Sequence, residues 1–352
     1  MALPSRADVP VYRLSVAPMM ELTDRHFRYL MRLITKRTLL FTEMLTANAV
    51  IHGDRDRLLG HDATEHPLAL QLGGSEPELL REAAVIGESL GYDEINMNVG
   101  CPSDRVKSGR FGACLMAEPE LVAGCVEAMR TAVSIPVTVK CRVGIDRDDS
   151  YDLFEEFVRK VASGGCDRFY VHARKAWLDG LSPKENRTVP PLRYEYVYRL
   201  KETLRSLDIS INGGIENWPD LTEHLNKVDG VMIGREAYYN PSFMLPADRE
   251  VYGESQADVD KREVALEYGA YMQRQFESGV PMSLMCRHLV ALYREVPGAR
   301  SWRRHLSMHH RDYSTAEALV ADALNHIDNP HGESLQVDSL PEAQVLKPGA
   351  TG

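Results

Sequence analysis

The chain has 352 residues, 44% hydrophobic and 26% charged, with 41 Lys and Arg against 51 Asp and Glu for a net charge of −10. Such a length buries enough apolar surface to fold without disulfides or a structural metal, and no apolar run approaches the ~18 residues of a membrane-spanning helix. The acidic total speaks against nucleic-acid binding through bulk charge but leaves room for a local basic stripe.

The first ten residues include Arg6 and Asp8 and no apolar core, so no secretory signal is expected and the protein is read as cytoplasmic. Cysteines at 101, 114, 125, 141, 166 and 286 form no CxxC pair and no Cys/His ligand spacing, which suits a reducing compartment and argues against a zinc site.

Short strand-like runs then recur between amphipathic stretches. They are 12–20 (YRLSVAPMM), 39–45 (LLFTEML), 68–74 (LALQLGG), 94–101 (EINMNVGC), 136–143 (PVTVKCRV), 168–174 (RFYVHAR), 208–215 (DISINGGI) and 230–237 (GVMIGREA). Residues 76–90 and 150–163 repeat apolar positions at three and four; Pro77 and Pro119 suit first helical turns, and Ser150 or Asp152 suits a cap. Eight strands alternating with helices predict an α/β chain folded as a (β/α)8 TIM barrel. An open doubly wound sheet would want GxGxxG after strand one, where Ala17-Pro18-Met19-Met20 stands instead.

Past residue 245 the pattern changes. A polar linker at 253–260 leads into helices predicted at 261–277, 281–295, 300–309 and 314–327, followed by an aperiodic stretch rich in Pro, Gly and Ser. The expected organisation is a barrel domain at 1–245, a small all-α domain at 255–328 and a flexible tail at 329–352.

Barrel chemistry gathers where strands end. Those positions hold Met19, Glu43, Gln71, Asn96, Asn98, Cys101, Lys140, Arg142, His172, Asn212-Gly213-Gly214 and Gly234-Arg235. The last two groups, after strands seven and eight, fit a phosphate cradle: glycines bring backbone N–H groups close and Arg235 adds a charged fork. Lys140 suits a Schiff base or a charge contact with a cofactor, and His172 a base, a donor or a core histidine. With Arg142 two residues beyond Lys140, the three form a cationic wall better matched to an anionic ring than to a Schiff base. Cys101, in Asn98-Val99-Gly100-Cys101-Pro102, is set on the rim as nucleophile, proton donor or turn residue. A thiol near its usual pKa of ~8.5 is mostly protonated at neutral pH, which permits donation.

These residues, in this order, resemble the tRNA-dihydrouridine synthases, specifically the bacterial A-type. The match includes Ala17-Pro18-Met19, Lys140-Cys141-Arg142 and, most specifically, 172–194 (HARKAWLDGLSPKENRTVPPLRY), and covers residues 10–325. The resemblance implies FMN held by Ala17, Pro18, Met19, Gln71, Lys140 and His172, with its phosphate on Asn212, Gly213, Gly214, Gly234 and Arg235. It implies NADPH as reductant, hydride transfer from flavin N5 to C6 of D-loop uridines 20 and 20a of tRNA, and protonation of C5 by Cys101. Asn98 would hold the uracil, Arg142 would lie beside flavin or base, and the protein would act as a monomer. A flipped-out base must fit the barrel mouth.

The resemblance also assigns Lys184, Arg187, Arg300 and Arg303 to tRNA. Residues 174–205 carry eight Lys and Arg against four acids, and 287–311 carry six against one, so a basic surface coexists with the acidic total. Tyr293, Trp302 and Tyr313 suit base stacking or helix packing, with packing favoured for at least two. Three rivals compete. A flavin enzyme reducing free pyrimidines has no use for the arginine cluster, a Schiff-base aldolase none for Cys101 and Arg142, and a non-catalytic tRNA-binding module would not need Cys101 and Lys140.

Overall fold

A computed structural model describes residues 9–103, 109–255 and 258–330. Its strands are β1 (Leu14–Val16), β2 (Leu40–Phe41), β3 (Leu45–Thr46), β4 (Leu68–Gly73), β5 (Glu94–Val99), β6 (Val137–Arg142), β7 (Arg168–His172), β8 (Asp208–Asn212) and β9 (Gly230–Ile233). All pair in parallel in the order β1-β9-β8-β7-β6-β5-β4-β2, with β3 also on β4. Val16 N–H donates to Leu39 O at 2.9 Å and Leu39 N–H to Leu14 O at 3.1 Å, which closes the sheet into a barrel of eight staves. Helices shield its outer face, so both sheet faces are buried, and runs such as Leu68–Gly73 are apolar almost throughout.

Every predicted strand is present, each shorter than expected. The second stave is broken between β2 and β3 because Thr42 leaves the regular pairing: its hydroxyl accepts the Gln71 N–H at 3.0 Å and donates to Glu43 O at 2.7 Å. The first stave stops at Val16, beyond which Met19 and Thr23 close a turn through each other's backbone and side chain. At the opposite end of the barrel Glu94 is buried, taking Thr138 Oγ1 at 2.6 Å and Arg168 Nη1 at 2.9 Å.

Outside the barrel, Pro77–Ser89 and Pro119–Arg130 begin on their prolines, whose missing N–H costs nothing in a first turn. Ser150, not Asp152, caps Tyr151–Ser163, accepting Leu153 N–H at 3.3 Å. Past residue 245 the helix Ala247–Tyr252 still grips the barrel: Tyr252 donates to Val11 O at 2.7 Å and Asp248 accepts from Thr35 Oγ1 at 2.6 Å. Four helices follow, Lys261–Glu277, Met282–Leu289, Ala299–Met308 and Ala316–Asp328. Trp302 is fully buried edge-on to Tyr293, and Tyr313 donates to Asp322, so these aromatics are engaged within the helical region. The predicted tail lies outside the described residues after position 330. Among the described residues, no helix is long and apolar enough to cross a membrane.

One carboxylate ties the helical region to the barrel. Asp24 caps helix Arg25–Ile34 by accepting the N–H groups of His26 and Phe27, each at 3.0 Å. The same side chain accepts Arg287 Nη2 at 2.6 Å and pairs with buried His288 at 3.0 Å. Burial alone would raise the Asp24 carboxyl, but the His288 hydrogen bond and charge, with the Phe27 N–H, hold it well below the usual carboxylate range. Tyr29 stacks on Tyr271 beside it.

Replacing Asp24 by Ala removes both cap and clasp. The expected loss is about 2–4 kcal/mol in urea unfolding. Because the folded-state pKa is depressed, this contribution is complete above the unfolded-state value of about 4 and fades as pH falls through the folded-state value. An unchanged unfolding midpoint would show the clasp to be screened by solvent.

Candidate active site

The strand ends converge on a cavity of about 520 Å³ at the C-terminal face of the barrel. Ala17, Pro18 and Met19 enter from β1, Gln71 from β4, Asn98 and Cys101 from β5, and Lys140 and Arg142 from β6. His172 comes from β7, Asn212, Gly213 and Gly214 from β8, Gly234 and Arg235 from β9, and Arg187 from the loop after β7.

Lys140 Nζ lies 3.4 Å from Asn212 Oδ1, whose Nδ2 donates to Met232 O at 2.8 Å. Burial first, and the Arg142 charge second, bring the Lys140 amine down to about 8. Arg142 braces three loops: Nε donates to Gly100 O at 2.8 Å, and Nη1 to Lys175 O at 3.1 Å and Asn186 O at 3.0 Å. Its pKa, lowered by burial to about 10, still leaves it charged at neutral pH. Burial, then Arg142 and Lys140, push His172 well below the usual imidazole value. His172 is therefore neutral at pH 7, and the expected three-member wall reduces to two cations. The only acids lining the cavity among the described residues are Glu21, Glu216 and Glu236.

Gly213 (φ 114°) and Gly214 (φ 71°) take backbone conformations that L side chains rarely adopt, and a Cβ on Gly213 would come within 2.6 Å of the His172 ring. Tyr194 steadies this turn, its hydroxyl donating to Gly213 O at 2.6 Å. A Cβ on Gly234 would meet only Ala17 and Asn212, both at 4.0 Å, so this glycine borders open space. Arg235 begins the following short helix, Arg235–Tyr239.

The thiol of Cys101 is half-buried and approaches Ser103 Oγ at 3.5 Å. Asn98 builds its turn: Oδ1 accepts the N–H groups of Gly100 at 3.1 Å and Cys101 at 3.0 Å. Asn98 Nδ2 donates to Gln71 Oε1 at 2.9 Å, and Gln71 Nε2 donates to Asn96 Oδ1 at 2.8 Å. Asn96 Nδ2 in turn donates to Thr138 Oγ1 at 2.8 Å.

The dihydrouridine synthase (Dus) family model matches residues 15–328. The chain belongs to that family. A tRNA-dihydrouridine(20/20a) synthase of Synechocystis is 56% identical over 86% of this chain and 90% of its own length. Relatives of the same name in Vibrio parahaemolyticus and Escherichia coli K12 are 53% and 52% identical, covering 90% and 87% of this chain and 97% and 89% of theirs. A solved 2-naphthoyl-CoA reductase complex matches with a TM-score of 0.51 at 11% identity, over 67% of this chain and 49% of that one, a likeness of fold alone.

Within this family member, the barrel brings together the predicted residues from Ala17 to Arg235 except Lys184, while Lys184, Arg300 and Arg303 lie outside the cavity lining. Arg300 and Arg303 are exposed on helix Ala299–Met308 and, with Arg304 and Arg311, pair with no carboxylate among the described residues. Two strand-end residues read as candidates are elsewhere: Asn96 is buried one pleat deeper, and Glu43 borders a separate groove. Sequence reading missed the exposed Met20 and Tyr239 in the lining, which carry no motif. It also missed Asn186, buried and bonded to Trp177 and Leu181, which orders the loop reaching Arg142.

Proposed function

We propose that this chain reduces the C5–C6 double bond of D-loop uridines 20 and 20a in tRNA, with FMN as its resident flavin and NADPH as the reductant. The reading rests on its family and on one observation above all: a half-buried thiol, two inward cations and a glycine-lined recess share one cavity. The donor set fits FMN. Among the described residues, Lys140 and Arg142 face no carboxylate of comparable depth and Arg235 is unpaired, while Gly234 leaves space beside Asn212. Ala17, Pro18, Met19, Gln71, Lys140 and His172 would hold the ring and its chain. Asn212, Gly213, Gly214, Gly234 and Arg235 would hold the phosphate.

A bound FMN would supply the hydride chemistry, relaying two electrons from NADPH to C6 of the uracil. The remaining work falls to the chain. Cys101 donates its thiol proton to C5, which completes the addition of two hydrogens and leaves a thiolate to be reprotonated from solvent. Asn98 sets the Cys101 turn and keeps one amide N–H for the base. Arg142 fixes the loops around the thiol. Lys140 stabilises negative charge on the ring, and an anion there favours its protonated form in return. Neutral His172 donates a hydrogen bond without adding a third buried cation.

Residues 1–245 would form the catalytic part and 255–328 the part that grips tRNA, with Lys184, Arg187, Arg300 and Arg303 on phosphates. The unpaired arginines favour this reading over a free-pyrimidine reductase, which needs no such surface. We read the protein as cytoplasmic, where such a tRNA substrate is met.

With tRNA lacking dihydrouridine, NADPH and purified protein, the expected product carries two added hydrogens at uridine 20 or 20a. Cys101→Ala should keep flavin and tRNA binding and lose roughly a hundredfold or more in turnover, the scale of a lost general acid; undiminished turnover removes Cys101 from the proton step. The double variant Arg300→Ala with Arg303→Ala should weaken tRNA binding and lower its salt slope by up to about 2. An unaltered slope would place the RNA surface elsewhere.

A further inference from the structure

The amides of the cavity end a hydrogen-bonded chain that starts at the opposite end of the barrel. Burial raises the Glu94 carboxyl, but Arg168 at 2.9 Å and the hydroxyls of Thr138 and Tyr170 oppose that shift and favour its carboxylate form, which has only acceptors to offer. Thr138 must therefore donate its single hydroxyl proton to Glu94 Oε1, at 2.6 Å, and meet Asn96 as an acceptor. Asn96 then presents Nδ2 to Thr138 and is left with Oδ1 for Gln71, which must present Nε2. Gln71 is left with Oε1 for Asn98, which must present Nδ2. The Asn98 oxygen finally faces the backbone N–H groups of Gly100 and Cys101, which can only donate.

Every step follows from donor and acceptor counts, so the amide orientations are fixed independently of how any one of them would be assigned alone. The two ends agree, since a carboxylate and a pair of backbone N–H groups demand the same direction. All five side chains are buried, where a reversed amide would leave two groups facing like to like and cost several unmade bonds.

We propose that Glu94 and Thr138 are positioning residues for the active site: through Asn96 and Gln71 they fix Asn98 so that it meets the substrate with an N–H and never with its oxygen. Both lone pairs of Asn98 Oδ1 are taken by the Cys101 turn, and one Nδ2 hydrogen remains uncommitted in a residue that lines the cavity. The site is thus built for a base edge that accepts. Uracil offers carbonyl oxygens on both sides of N3, whereas cytosine replaces one with an amino donor, so the same chain that holds the thiol also favours uracil. The specificity half rests on the uridine-reducing function proposed above; the positioning half does not.

The test is Thr138→Val, which deletes the hydroxyl at nearly constant volume and leaves Glu94 and Asn96 without their shared partner. The expected result is a fall in kcat of roughly tenfold or more, the scale of a misplaced reacting group, with KM for tRNA and FMN content unchanged. Thr138→Ser, which keeps the hydroxyl, should restore kcat. In the same preparations without tRNA, the rate of Cys101 alkylation by iodoacetamide should differ severalfold between the Val and Ser variants.

A Val variant with wild-type kcat and wild-type alkylation overturns the proposal. If Val does not fold, Asn98→Asp tests the same polarity at the cavity end. It keeps acceptors for the Cys101 turn but has no N–H, and uridine reduction at the wild-type rate would overturn the proposal. Should the wild-type protein reduce no uridine in tRNA, the uracil reading falls, while a changed alkylation rate in the Val variant would still support the positioning role.

Discussion

Two cations held inside the mouth of a closed barrel, with no carboxylate set against them among the described residues, govern the chemistry of this protein. Among the described residues, Arg142 bonds only to backbone carbonyls, and Lys140 only to one amide oxygen at 3.4 Å. Burying positive charge so sparsely partnered is costly, and the depressed Lys140 amine registers that cost. The site is at its most stable with an anion inside. The recess beside Gly234, the left-handed turn at Gly213 and Gly214, and the neutral state of His172 all follow as ways to admit such an anion without further positive charge.

The closed parallel sheet makes this arrangement possible. Because all staves run in one direction, one end of the barrel gathers every strand C-terminus, and a few sequence positions per strand suffice to furnish a cavity. Lys140 and Arg142 alternate with Cys141, which is buried in the outer layer. Asn96 and Asn98 alternate in the same way with Met97. One polar line thus crosses the barrel interior, from Glu94 to Asn98, and that line is satisfied at each step. The helical region is joined to the same mouth through Asp24, which serves as helix cap and ion-pair partner together.

Much of this was legible in the sequence because it depends on local pattern. Strand-like runs separated by amphipathic stretches disclosed the barrel, and Gly-Gly and Gly-Arg at the ends of the last two strands disclosed the recess. The four terminal helices announced themselves by periodicity, with Lys261–Glu277 matched to the residue. What escaped was set by long-range geometry. The break in the second stave arises from a hydroxyl that meets the backbone of another strand, and Asn96 reads as a strand-end residue although it lies one pleat too deep. His172 looked cationic because its depth, which the closed barrel sets beside Arg142 and Lys140 of the neighbouring strand, cannot be read from residue type. Tyr239 and Met20 follow known elements yet carry no signal of their own, since exposure cannot be read from residue type.

The central claim, that the two-cation cavity is a flavin site, is tested most directly by the visible absorption spectrum of the purified protein and of the supernatant after heating. A flavin spectrum with FMN released in near one-to-one amount, and lost or much weakened in Lys140→Met, is the expected result. A colourless protein that takes up no added FMN would contradict the account, because the unpaired cations and the glycine recess would then have been built for something else.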